Sequence, residues 1–376
     1  MPSSRPKTIL VLCNGARILY LTRFELLKAL RDRGDTVYLS TPRNSATAPF
    51  EEIGCRIIET PLDRRGLTLK QDYFLWRKYK QIIREIRPDI VLSFTIKPNI
   101  YGIRAAVKYG VPGFPTMTGL GTSIQKRGFL QKAVFTLYRH TFRKVPKAFF
   151  QNSTNVELFR LLGMIRPEQV VQVAGSGVNL ETHPFEPYPD PEKPTRFLFI
   201  GRLMREKGIF EYLEAARRIH EDFPDVRFGI LGFREEPNTL NQIRSLSKEG
   251  IVDYFGYVKD VRPYIAESHA VVLPSWHEGM ANVLLEAAAA GRPVLASKIA
   301  GCIETFNEGV TGYGFMPRDV DDLCAKLNRF IALPHEKRVE MGKAARTKVE
   351  NEFNRAEVVA AYLTEIDRVL EPEPNS

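Results

Sequence analysis

No apolar run in this 376-residue sequence approaches the roughly 18 residues of a membrane-spanning helix, so none is expected to cross a bilayer. Cysteine is scarce. Cys13, Cys55, Cys302 and Cys324 lie far apart with no CxxC, which argues against a disulfide framework or structural zinc and makes a reducing cytoplasm the simplest home. The opening MPSSRPKTILVLCNG lacks the apolar stretch and cleavage site of a secretory signal, so none is expected. Acidic residues are absent between Asp89 and Glu157, where ten Lys or Arg occur. Such a stretch points at an anionic partner: nucleic acid, a phosphate-bearing substrate or a membrane surface.

What is present is ordinary globular material. Hydrophobic residues make up 44% and 23 Phe and 14 Tyr supply core, which excludes disorder for the bulk. The net charge of +10 is uneven: residues 1–190 carry 29 Lys+Arg against 15 Asp+Glu (+14), and residues 191–376 carry 25 against 29 (−4). The halves therefore meet different partners.

Strands alternate with helices in both halves. Thr8–Cys13, Thr36–Ser40 and Asp89–Phe94 read as strands. Phe24–Arg33 and Tyr73–Ile86 read as helices, the latter with Phe74, Ile82 and Ile86 inward. Glu181–Thr195 holds five prolines and reads as a stiff linker. The alternation restarts with strands at Arg196–Ile200, Val226–Leu231, Ala270–Pro274 and Pro293–Ser297, and helices at Gly208–His220 and Asn282–Ala290. The pattern predicts an α/β protein of two doubly wound, Rossmann-like parallel sheets facing a cleft, with ligands at the carboxyl ends of the strands. The expected division is a first domain over 1–180, a linker over 181–195, a second domain over 196–352 and a C-terminal helix and tail over 353–376 that packs back on the first domain.

Three strand-end loops of the second half carry chemistry. Arg202 and Lys207 follow the strand RFLFI, and each can reach a phosphate: Arg by a two-pronged hydrogen bond, Lys as a point charge. A solvated basic turn would look the same. Glu278-Gly-Met-Ala-Asn-Val-Leu-Leu-Glu286 follows, with Gly279 allowing close approach and the amides near Ala281–Val283 offering an anion site at a helix start. Glu286 lies about 6 Å along that helix from Asn282, so the two carboxylates suit two parts of one long ligand rather than one hydrolysed bond. Leu231–Arg234 and Phe255–Val258 can present an aromatic or backbone edge to a nucleobase, with Val258 on the donor side; ordinary turns explain them as well.

In the first half, Asn14-Gly15 ends the first strand in a tight loop that can contact a ligand in the cleft or be a plain strand-to-helix turn. Lys97 in SFTIKPNIYG can meet a phosphate or close a loop. Pro112–Thr122, rich in Gly and Thr, reads as a close-approach loop around Thr118 and Gly119, not as a core strand. Gln125–Lys147 has seven Lys or Arg and no acid, with Phe129, Leu130, Val134, Leu137, Tyr138 and Phe142 at helical intervals. That suits either a helix lying on an anionic bilayer, through Lys126, Arg127, Phe129, Lys132, Arg139, Arg143 and Lys144, or a helix with its apolar face in the core. A nucleic-acid-binding reading of the basic half lacks a recognised module and leaves the glutamate motif unexplained.

The succession GRL…KG, SWHEGMANVLLEAAAAGRPV and GCIETFNEGVTGYGF resembles the retaining glycosyltransferases of family 4, whose two-domain fold is called GT-B. The resemblance spans nearly the whole chain and implies that the first domain binds the acceptor, through Asn14, Lys97, Thr118 and Gly119, and the second the nucleotide sugar, with Gly15 and Val258 also on the donor side. It implies that Arg202 and Lys207 hold the diphosphate of a UDP-sugar and that Glu286 takes the ribose. Glu278 and the Gly279, Met280, Ala281, Asn282 and Val283 amides would meet sugar and phosphate. It implies no metal or other cofactor. Asp319-Val-Asp321, the only Asp-x-Asp, reads as helix capping. Many relatives carry a histidine where Thr118 stands, so a histidine base is not expected. KPNIYG, GLGT, the segment 232–237 and GCIE look closest to bacterial enzymes that add α1,3-linked N-acetylgalactosamine to a diphosphoundecaprenol-linked diacetylated amino sugar in protein N-glycosylation. That implies N-acetylgalactosamine or another N-acetylhexosamine as the sugar moved. It also implies a polyprenyl-diphosphate-linked sugar as acceptor, and work on the inner face of the cell membrane. A soluble acceptor is the alternative.

Overall fold

The computed structural model describes residues 5–62, 69–119, 129–236 and 239–371. The chain forms two compact units, one of residues 1–176 with 356–376 and one of 177–355. These crossings lie a few residues from the expected 180 and 353.

The first unit is a seven-stranded, all-parallel sheet. Its strands are β1 (Thr8–Cys13), β2 (Thr36–Thr41), β3 (Arg56–Glu59), β4 (Ile90–Phe94), β5 (Gly113–Met117), β6 (Ala148–Phe150) and β7 (Val170–Gln172), in the order β3-β2-β1-β4-β5-β6-β7. Successive strand side chains point to opposite faces, and β1 shows it. Ile9, Val11 and Cys13 enter one core, with Leu26 and Leu30 of the helix Ala16–Asp32. Leu10 and Leu12 enter the other, with Tyr79 and Ile82 of the helix Leu69–Ile86. The C-terminal helix Arg355–Leu370 lays Val358, Tyr362 and Ile366 into the first of these cores. The Tyr362 ring stacks on Phe149 at 3.8 Å, and its hydroxyl lies 2.7 Å from that of Thr116.

Two expectations fail here. Pro112–Thr122 is not all loop, because Gly113–Met117 is the fully buried β5 between β4 and β6. Phe114 and Met117 are core residues, and a side chain at Gly113 would strike Ile103 at 2.8 Å. Phe74 is not inward; it is 55% exposed, because the buried stripe runs through Leu75, Tyr79, Ile82 and Ile83, one position away.

The second unit is a six-stranded parallel sheet of β8 (Arg196–Ile200), β9 (Arg227–Leu231), β10 (Val252–Gly256), β11 (Ala270–Leu273), β12 (Val294–Ser297) and β13 (Gly312–Phe315), ordered β10-β9-β8-β11-β12-β13. The proline-rich segment is not a free linker. The fully buried Arg292 guanidinium donates to the carbonyls of Glu186 (2.8 Å) and Pro187 (2.7 Å), which fixes that segment on this unit. Asp319 caps the helix Val320–Ile331, its carboxylate accepting from the Asp322 amide at 2.9 Å.

Candidate functional site

In a doubly wound sheet the strand order reverses at one place, where two neighbouring strands send their connections to opposite faces and leave a crevice. In the second unit that place lies between β8 and β11. Arg202 and Lys207 follow β8, and Glu278 follows β11.

Backbone contacts draw these loops together. The turn Arg205–Lys207 ends at Gly208 with φ +72°, and a Cβ there would lie 1.9 Å from the Pro274 carbonyl oxygen. Only glycine fits on both counts. The Trp276 amide donates to the Glu206 carbonyl at 2.9 Å, and the Trp276 indole to Glu211 at 2.9 Å. Lys207 Nζ is thereby set against Glu278 Oε1 in a largely buried ion pair. Arg202 pairs with Glu235 at 2.8 Å and is nearly half exposed. Glu235 follows β9 and stood in the quoted segment 232–237 without a role.

The glutamate motif is held from a third strand end. Gly301, after β12, accepts from the Ala281 amide at 2.8 Å, and its own amide donates to Glu304 at 2.7 Å. A side chain at Gly301 would lie 2.7 Å from the Gly279 carbonyl oxygen. Gly301 and Glu304 stood in the quoted GCIE pattern without a role. The amides of Ala281 and Asn282, expected above to be open to an anion, are not free; they donate to Gly301 and Met280. The start of the helix Asn282–Ala289 is tied down by its own turn and by the neighbouring loop, and Asn282 Oδ1 stays buried without a hydrogen-bond partner.

Met280 and Ala281 are buried, and Val258 and Val283 pack in the core beneath, so all four side chains are spent on packing. Glu286 is partly buried one turn into the helix. Burial pushes its carboxyl up to about 7, against the pull of Arg355. Beyond β9 and β10, Phe233 and Tyr257 present exposed rings 6.3 Å apart, and the Gly232 amide donates to Gly256. The site thus offers two cations, two carboxylates and an aromatic edge on the carboxyl side of one sheet.

In the first unit the order reverses between β1 and β4, which end at Asn14-Gly15 and before Lys97. Gly15 caps the helix Ala16–Asp32 with extended backbone (φ 179°) that any residue adopts, so no glycine-only loop is present. Lys97 is a buried partner of Asp72 at 3.0 Å, and Asp72 also accepts from the Tyr101 hydroxyl. Thr118 and Gly119 follow β5 and are partly buried.

The helix Phe129–Phe142 turns Val134, Tyr138 and Phe142 fully into the core, so that apolar face is not available to a bilayer. Arg139 and Arg143 donate to the carbonyls of Leu162 (2.7 Å) and Gly163 (2.9 Å), closing the end of a neighbouring helix. Lys132 and Lys144 are exposed. Lys126, Arg127 and the Phe129 side chain lie outside the described residues.

Residues 8–152 match the glycosyl transferase 4-like family, and 182–348 match the glycosyl transferases group 1 family. Over 96% of this chain and 98% of the relative, the sequence is 27% identical to the N,N'-diacetylbacillosaminyl-diphospho-undecaprenol alpha-1,3-N-acetylgalactosaminyltransferase of Campylobacter jejuni. It is 29% identical to glycogen synthase of Mycobacterium tuberculosis over 85% of this chain and 83% of that one. A glycosyltransferase from Rickettsia africae shares the fold with a TM-score of 0.79 at 19% identity, covering 98% of this chain and all of that one. Anabaena HepE in complex with UDP and glucose gives 0.78 at 18% identity, over 96% and 99%. Among the described residues no helix is long and apolar enough to cross a membrane. The chain belongs to the glycosyltransferases of GT-B type, with a glycosyl transferase 4-like domain followed by a group 1 domain.

Proposed function

We propose that the protein moves an N-acetylhexosamine, N-acetylgalactosamine first among them, from a UDP-sugar to a polyprenyl-diphosphate-linked sugar. Configuration is retained, no metal takes part, and the work is done at the cytoplasmic face of the cell membrane. The observation that carries the chemistry is Lys207 set on Glu278 where β8 and β11 diverge, with Arg202 on the adjoining loop. Transfer breaks the bond from the sugar C1 to the diphosphate oxygen, and negative charge grows on the departing UDP. Fixed cations aimed at that charge are the kind of group that lowers such a barrier most. Glu278 and Glu286 are acceptors suited to sugar and ribose hydroxyls. The acceptor hydroxyl forms the new bond on the same face and gives its proton to the leaving phosphate oxygen. That route needs no side-chain base, in keeping with Thr118 where relatives carry histidine.

The acceptor class rests on the end-to-end likeness to the Campylobacter enzyme, whose name specifies a lipid diphosphate. The mycobacterial glycogen synthase, similar over 85% of the chain, favours a second reading with a soluble acceptor. A UDP-release screen tests both. It offers UDP-N-acetylgalactosamine, UDP-N-acetylglucosamine, UDP-galactose and UDP-glucose against polyprenyl-diphosphate sugars and soluble glycans. The proposal expects the N-acetylated donors to react with the lipid acceptors. Reaction of the parent hexoses alone, or of soluble glycans alone, would overturn it.

A further inference from the structure

The first unit carries an aromatic and cationic face that the sequence reading missed. Tyr73 and Phe74 on the helix Leu69–Ile86 are 53% and 55% exposed, with ring centroids 6.2 Å apart. Tyr73 also meets Trp76 at 6.1 Å. Over the Trp76 ring lie three cations: Lys80 at 3.8 Å, Lys108 at 5.8 Å and Arg104 at 5.9 Å. Arg104 and Lys108 also line a groove of about 410 Å³ whose far wall, on and just after the helix Phe129–Phe142, bears His140 and Lys144. Among the described residues no carboxylate pairs with Lys80, Arg104, Lys108 or Lys144. Asp72, which precedes Tyr73, is buried on Lys97. On the other side Phe74 and Lys78 rim a cavity of about 600 Å³ that reaches Lys97 after β4.

Exposed apolar rings beside unpaired cations lose water and gain charge contact together at an anionic bilayer surface, where Trp and Tyr settle at headgroup level. A soluble acidic partner would satisfy the cations and leave Tyr73 and Phe74 wet. We propose that this face docks the protein on anionic phospholipid. Tyr73, Phe74 and Trp76 enter the headgroup layer, and the Arg104–Lys108–Lys144 groove takes a lipid phosphate. The inference rests on the acceptor being lipid-borne, since docking would bring the rim of the Lys97 cavity to the membrane.

The test is co-sedimentation of the full chain with phosphatidylcholine vesicles, with and without phosphatidylglycerol. The wild type is expected to bind only the anionic vesicles and to release as salt rises. Each surface cation is worth about fivefold in partitioning. Arg104→Glu/Lys108→Glu should therefore lower binding at least ~20-fold. Tyr73→Ser/Phe74→Ser should lower it about tenfold. Lys193→Glu/Lys343→Glu, on the other unit, matches the charge change and should not alter it. Trp76 emission, read as wild type minus Trp76→Phe, should shift to the blue on anionic vesicles. Wild-type protein that ignores anionic vesicles, or an Arg104→Glu/Lys108→Glu variant that binds like wild type, would overturn the proposal. Transfer to a detergent-solubilised acceptor reports on the proposed function alone. Wild type that transfers there yet ignores vesicles refutes the docking face and leaves the function standing.

Discussion

Replacing Lys207 by methionine separates the two duties of the Lys207–Glu278 pair. The side chains are 22% and 11% exposed, so the pair is neither a surface contact nor fully dry. Removing one partner of a buried pair costs about 3–5 kcal/mol, because the other charge is left uncompensated. The solvent reaching Lys207 discounts that to about 1–3 kcal/mol. For a unit of this size the melting temperature should fall by roughly 2–10 °C. Neutralising the partner as well, in Lys207→Met/Glu278→Gln, removes the stranded charge and should restore most of that loss. Turnover should behave otherwise. The cation proposed to meet the growing charge on the diphosphate is gone in both variants, and both should lose on the order of 10²–10³ in kcat. Thermal melts followed by circular dichroism, beside UDP release at saturating donor, read both quantities. Recovery of turnover together with melting temperature in the double variant would refute the reasoning, as would a Lys207→Met enzyme of unchanged turnover.

Three further outcomes are expected. Arg202 is nearly half exposed on Glu235, so Arg202→Ala should leave the melting temperature within about 2 °C, while kcat falls on the order of 10²–10³; equal kcat would remove it from the site. Burial holds the Glu286 carboxyl at about 7, and the ribose contact proposed for it is served best by the carboxylate, which accepts at both oxygens, so the donor KM should fall up to about tenfold from pH 6 to pH 8 in wild type and stay flat in Glu286→Gln. Its carboxyl is raised on folding, so its ionisation opposes folding and wild-type stability relative to Glu286→Gln should decline as pH rises from about 4.5 to about 7. A pH-independent KM or a constant stability difference would contradict that environment. Gly208→Ala should unfold the second unit or lower its melting temperature more than Lys207→Met, because the added carbon meets the Pro274 carbonyl; a stable Gly208→Ala protein would show that the loops can separate.

How much of this was written in the sequence depends on the kind of information involved. The runs TILVLC and RFLFI matched strands β1 and β8 in full, because buried parallel strands are continuous apolar stretches that turn residues bound sharply. Strand β5 stayed hidden because GFPTM has a glycine and a proline where a strand signal needs side chains. Its glycine is there because Ile103 leaves no room for a Cβ. Arg202, Lys207, Glu278 and Glu286 stood out by type and by position after strands. Their partners did not. Lys207 and Glu278 meet only because β11 crosses over to lie beside β8, and no local pattern encodes that. The helix Phe129–Phe142 was ambiguous for a physical reason: an apolar stripe leaves water equally well into a core or a bilayer, and the core took Val134, Tyr138 and Phe142. The spent amide of Ala281 depends on Gly301, which arrives from another strand end.

The proposed site holds a sugar nucleotide's diphosphate by side-chain cations after β8, beside the start of one helix, without a divalent ion. The decisive experiment is calorimetric titration of UDP-N-acetylgalactosamine into the protein in excess EDTA, with Arg202→Ala/Lys207→Met titrated in parallel. Binding should survive the chelator unchanged in wild type and weaken at least about 100-fold in the variant. Binding that EDTA abolishes and manganese restores, or that the variant retains, would contradict it.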